Sequence, residues 1–183
     1  MMNKAMKVRY EREVFPSFYL RNASYHFRTM AENNTAGSLY TTMSSLVFSA
    51  FCFESFLNQL GADSFAYWNE IEKISVLSKL SLLCTHYGVT VNKGIRPYQT
   101  IKDLFRFRDQ IAHAKVEKLE EEHFTNPDTD HFEDEPKTYW ERYCTLKNAQ
   151  KAYDDIHDLA LKLAHAAKLE GSPFDCGITY REG

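Results

Sequence analysis

The 183-residue sequence predicts an all-α fold, a helical bundle of about five helices, and three observations lead there. Seven glycines and five prolines fall at intervals that leave long uninterrupted segments between them. No segment alternates apolar and polar residues far enough to make a strand. Aromatic residues make up 14% of the chain, with 13 Phe and 11 Tyr, enough to fill the core of one ordinary domain. Residues 1–183 are therefore expected to form a single helical domain.

The elements follow in order. Pro16 with Ser17 opens a first helix running to about Asn33, and "NNTAGS" separates it from a second, roughly Ser38 to Leu60, which Gly61 is expected to end. A third runs from about Ser64 to Tyr87 and stops at Gly88. After a loop from Val89 to Arg96, Pro97 is placed as the first residue of a fourth helix reaching about Glu122. An acidic loop at about 120–137 follows, punctuated by Pro127 and Pro136. The last helix spans roughly Thr145 to Glu170 and ends at "GSP".

Charge is unevenly distributed over these elements. The net charge of −3 hides a stretch, residues 117–136, with nine acidic residues and one lysine. The remainder has 21 basic residues against 16 acidic ones, so a basic body carries a detachable acidic loop. Such a loop cannot build a core. It is either a solvated linker or, beside a nucleic-acid site, an inhibitor or a dock for a basic partner.

Several function classes find no support. Cys52, Cys84, Cys144 and Cys176 lie at least 32 residues apart, without a C-x-x-C, and read as buried free thiols in a reducing compartment. The opening "MMNKAMKVRYEREVF" has no apolar run of the signal-peptide kind. Residues 33–53 carry no charge, but nine of those 21 are Asn, Ser or Thr, which argues against a membrane span. A soluble cytoplasmic protein is expected. Phosphate-loop, dinucleotide, nucleophile-elbow and zincin motifs are all missing. His123 and His131 sit in the solvated charge run, and His157 with Asp154 is ordinary helix-surface spacing, so no metal and no cofactor is expected.

The chemistry concentrates in "LFRFRDQIAHAKV", Leu104 to Val116. Nine arginines and seven histidines give about one R-x(4–6)-H spacing by chance, and three occur: Arg21–His26, Arg106–His113 and Arg108–His113. Helical phase separates them. At about 100° per residue, Leu104, Phe105, Ile111, Ala112 and Leu119 fall within about 80° of Ile101, and Arg108 lies inside that stripe. Arg106, Asp109 and His113 cluster to one side of it. A buried guanidinium needs a counter-charge or a wet cleft. Glu54, which interrupts the apolar "LVFSAFCFESFLNQL" with Asn58 one turn on, can supply the charge. Arg21–His26 has no such stripe around it.

"FESFLNQL", followed about fifty residues later by "LFRFRDQIAHAK", resembles the HEPN superfamily of helical domains, over roughly Pro16 to Lys115 and the last helix. The mark of that superfamily is R-x(4–6)-H, with a polar residue after the Arg, and Arg108, Asp109 and His113 fit it. Asp109 stands where Asn is commoner, and its carboxylate would repel an incoming phosphate, so it is expected instead to accept a hydrogen bond from His113. The resemblance implies a homodimer whose two motifs meet, acting as a metal-independent endoribonuclease, with toxin or phage-defence relatives and hence an antitoxin or other protein partner. His113 would be the general acid/base, Arg108 the phosphate clamp and Asp109 the orienter of His113. Glu54 and Asn58 would support Arg108 from behind, while Arg106 and Lys115 would bind RNA backbone phosphates. Two motifs pooled across a two-fold axis would also relieve the 140° or so that one helix puts between Arg108 and His113. The alternatives are a non-catalytic HEPN-like nucleotide-binding or protein-interaction module, and a plain bundle in which Arg108–Glu54 is a core ion pair. The plain bundle buries His113; the nuclease exposes it in a cleft.

Overall fold

The computed structural model describes residues 13–120 and 135–174, in which the regular secondary structure is all helical, with no strand among them. In chain order the helices are α1 (Pro16–Asn33), α2 (Ser38–Ser64), α3 (Trp68–Ile71), α4 (Val76–His86), α5 (Tyr98–His113), α6 (Tyr139–Tyr143) and α7 (Leu146–Ala166). Most of the acidic stretch, with His123 and His131, lies outside the described residues, as does Cys176. Among the described residues no helix is long and apolar enough to cross a membrane.

The middle helix, α2, touches α1, α4, α5 and α7. Its composition explains how. Ser24 of α1 donates to the Ser45 carbonyl at 3.0 Å, and Ser45 returns the bond to the Ser24 carbonyl at 2.9 Å. Ser24 also meets the Ser49 hydroxyl at 2.6 Å. These small side chains satisfy one another while letting the two helices approach closely, and Phe27 stacks on Phe48 beside them. The charge-free, serine-rich run is thus a helix–helix interface. On its other faces α2 offers Leu46, Phe53, Leu57 and Leu60 to the core, which α4 completes with Leu80 and Leu83, α5 with Ile101 and Leu104, and α7 with Ile156 and Leu159.

Several boundaries differ from expectation, the last helix ending at Ala166 and not near Glu170 among them. Gly61 does not end α2; the helix continues to Ser64 and Gly61 is buried. A Cβ there would lie 2.3 Å from the Trp68 ring, so the glycine admits an indole rather than a turn. Gly61→Ala is therefore expected to force the ring or the helix aside, costing about 1–3 kcal/mol. Chemical denaturation showing an unchanged midpoint would contradict that packing.

The expected third helix is split into α3 and α4 by Ser75, whose hydroxyl accepts from the Ser78 backbone N–H at 3.2 Å and caps α4. Gly88 does end that segment, with φ +68°. Pro97 occupies the capping position of α5, one residue before its first turn. At the far end α5 stops at His113, not near Glu122, and Leu119 is exposed. Beyond Ile111 the sequence offers no further side chain that the core takes up, and a polar segment without packing does not hold a helix.

The short α6 has a legible signature: Thr138 and Glu141 form a capping box, with Glu141 Oε2 accepting from the Thr138 N–H at 2.7 Å. It seats Tyr143 against Phe107 of α5 (ring centroids 5.4 Å apart). Phe107 is wholly buried although it lies outside the stripe centred on Ile101, because α5 is covered on two sides. Arg96 also fixes the entry to α5, donating from Nε and Nη2 to both oxygens of buried Asp155 on α7 at 2.8 and 2.9 Å. Burial pushes the thiol of Cys52 up to about 12 and those of Cys84 and Cys144 up to about 11, which keeps all three protonated and unreactive.

Candidate active-site cleft

The start of α4, the residues before it and the outer face of α5 enclose a cleft of about 820 Å³. Arg106, Arg108, Asp109 and His113 line it from α5, and Glu54 lines it from α2. Five of the seven residues expected at a site therefore share one cavity. Asn58 and Lys115 do not line it. Asn58 lies behind the wall, and Lys115 is exposed beyond the end of α5.

Arg108 is held in the wall of this cleft, its side chain 21% exposed. Its Nη2 donates to Glu54 Oε2 at 3.0 Å, and its Nη1 lies 3.3 Å from Asp109 Oδ1. The guanidinium also sits over the Phe105 ring, 5.2 Å from the centroid. Its Nε is enclosed and has no acceptor among the described residues. The Arg108–Glu54 pair that helical phase predicts is present, but it borders a cavity and is not sealed in the core.

Two details depart from the expected arrangement. The carboxylate of Asp109 faces Arg108, and among the described residues it makes no hydrogen bond to His113. The reason is geometric: in this conformation the neighbouring guanidinium reaches Asp109 Oδ1, giving the carboxylate a cation to pair with. Asn58 does not touch Arg108 either. Its Oδ1 accepts from Lys79 Nζ at 2.8 Å. That same ammonium reaches Glu54 Oε1 at 3.3 Å, so Glu54 is shared by two cations, one on each oxygen.

Lys79 is the main residue that the sequence reading passed over, and it is 2% exposed. The signal for it is of the same kind that marked Glu54: a lone charge inside "VLSKLSLLC", between the core residues Val76 and Leu83. Lys73 and Lys102, both exposed, also line the cleft. With Arg106 and Arg108 they make four cations against two carboxylates there, so the cavity favours an anion.

Arg106 is stationed by α6. Its guanidinium lies 3.8 Å from the centroid of the Tyr139 ring. Burial, reinforced by nearby Asp103, raises the Tyr139 phenol above its ordinary range and keeps the ring neutral against the cation. His113 occupies the last turn of α5, exposed, on the cleft wall. Arg21 of the Arg21–His26 spacing lies over the rings of Tyr153 and Phe174.

An accessible imidazole and a partly shielded guanidinium in one cationic cavity can move a proton and stabilise a phosphate together. Among the described residues no group of three or more His, Cys, Asp or Glu is placed to hold a metal ion. No family model, curated protein or solved structure matches the chain.

Proposed function

We propose that the protein is a HEPN-like endoribonuclease that cleaves RNA without a metal, working as a homodimer in which two Arg/His motifs lie close together. The observation that carries this reading is the presence of Arg108 and His113 on the wall of one cationic cleft. His113 takes the proton from a ribose 2′-OH or gives one to the departing 5′-oxygen. Arg108 stabilises the charge growing on the phosphorane. Arg106, Lys73 and Lys102 attract the flanking phosphates. Exposure of His113 on the cleft wall favours this reading over a plain bundle, which has no use for an accessible histidine there.

The apolar part of the α5 stripe is taken up within the protomer's own core, with Ile101 and Leu104 fully buried. A dimer would therefore form around the cleft mouth and its charged rim. Toxin or phage-defence service, with an antitoxin as partner, belongs to the same reading.

Purified protein incubated with single-stranded RNA is expected to cleave it in the presence of EDTA and to leave 2′,3′-cyclic phosphate ends. A 2′-deoxy substitution at the scissile nucleotide is expected to block the reaction. Sedimentation at micromolar concentration is expected to give twice the chain mass of 21.3 kDa. Intact RNA after prolonged incubation would overturn the nuclease, and a single 21.3 kDa species would remove the shared site.

A further inference from the structure

We infer that Lys79 is a positioning residue that lets Arg108 exchange Glu54 for a phosphate, so that the cleft binds its anion by swapping ion-pair partners. This rests on the reading of the cleft as a nuclease site. Three observations lead to it. Glu54 offers one oxygen to each cation, Oε1 to Lys79 at 3.3 Å and Oε2 to Arg108 at 3.0 Å. Lys79 is 2% exposed and is fixed from behind by Asn58 at 2.8 Å, whereas the Arg108 side chain is 21% exposed and faces the cavity. Among the described residues Arg108 Nε has no acceptor in its present pose.

The consequences follow from charge. A guanidinium that is the sole partner of a carboxylate cannot leave it without stranding that carboxylate in a poorly solvated wall. Here Arg108 can turn outward while Glu54 stays paired with Lys79, and Nε gains a partner in the incoming phosphate. Lys79, Glu54, Arg108 and Asp109 together are neutral, so the ion pairs set up no repulsion against an approaching phosphate. Without Lys79 one guanidinium faces two carboxylates, and the net −1 repels phosphate. Lys79 touches no substrate in this scheme and acts only through Glu54.

The test is binding of an all-2′-deoxy single-stranded oligonucleotide, which cannot form a cyclic phosphate, with inorganic pyrophosphate as a second probe. Lys79→Met is expected to weaken both about tenfold or more. Glu54→Gln is expected to bind as well as wild type or better, because its amide oxygen does not restrain Arg108 with a charge. The double variant Lys79→Met/Glu54→Gln restores the wild-type charge balance and is expected to recover wild-type affinity. A purely structural lysine would leave the double variant as weak as Lys79→Met, and that result overturns the inference. If Lys79→Met fails to fold by circular dichroism, Glu54→Gln decides alone: lost binding overturns the inference, retained or tighter binding supports it. Wild type that binds both probes but leaves RNA intact removes the nuclease and not the exchange. Wild type that cleaves RNA while Lys79→Met binds at full affinity removes the exchange and not the nuclease. Wild type that binds neither probe overturns both.

Discussion

His113→Ala is expected to lower RNA cleavage by about 10²–10⁴-fold while leaving the fold intact. The two halves of that expectation have separate grounds. The loss of rate follows from removing a general acid/base from the cleft, where Asp109 is turned toward Arg108 and offers no substitute imidazole. The unchanged stability follows from exposure: His113 is at the open end of α5 and, among the described residues, has no hydrogen bond or ion pair to lose. Melting of His113→Ala is thus expected within the small range of an ordinary surface substitution, about ±0.5 kcal/mol. His26→Ala serves as the matched control, since His26 is also exposed but lies on α1 outside the cleft. Equal cleavage by wild type and His113→Ala would leave the non-catalytic binding module as the better account.

What the sequence made legible about this site depended on period and on isolated charges. The stripe on α5 places Arg108 toward the interior and His113 at its edge, and Glu54 stands out as the lone charge in "LVFSAFCFESFLNQL". The same rule applied to α4 finds Lys79, a lone charge in "VLSKLSLLC", whose helical phase is clear only once α4 is seen to begin at Val76. Splitting that helix at Ser75 needs the cap geometry, and a serine in a polar-apolar stretch carries that signal weakly. Gly61 is ambiguous for a different reason. A helix-ending glycine and a glycine that receives an indole look alike until the Trp68 ring, seven residues on, is seen lying against it. The stop of α5 at His113 was not legible from phase, because Leu119 continues the stripe arithmetically although no core extends far enough to bury it. Arg96–Asp155, 59 residues apart, is long-range and has no local signature at all.

Arg108→Ala and Glu54→Ala are expected to separate activity from stability in opposite senses. On the sequence alone, Arg108→Ala should destabilise the protein by stranding Glu54. Lys79 changes that outcome, because Glu54 Oε1 keeps its ammonium partner when the guanidinium is gone. Arg108→Ala is therefore expected to lose about 10²–10³-fold in cleavage, the loss typical of removing one donor to a developing anion, with only a small fall in melting temperature. Glu54→Ala does the reverse structural damage. It leaves Lys79, 2% exposed, with the neutral Asn58 amide as its remaining partner and with the Arg108 cation facing it across the gap. Breaking a buried pair from one side costs about 3–5 kcal/mol, roughly 6–20 °C for a chain of this size. Replacing both charges, in Glu54→Leu/Lys79→Met, is expected to recover most of that stability, since an apolar pair needs no counter-charge. Arg108→Lys keeps a positive charge but not the planar fork, so it is expected to bind the anion and to cleave poorly. The measurement is thermal melting of all four variants alongside cleavage rates. Should Arg108→Ala melt as low as Glu54→Ala, Glu54 depends on Arg108 alone, and the shared carboxylate does not describe this protein.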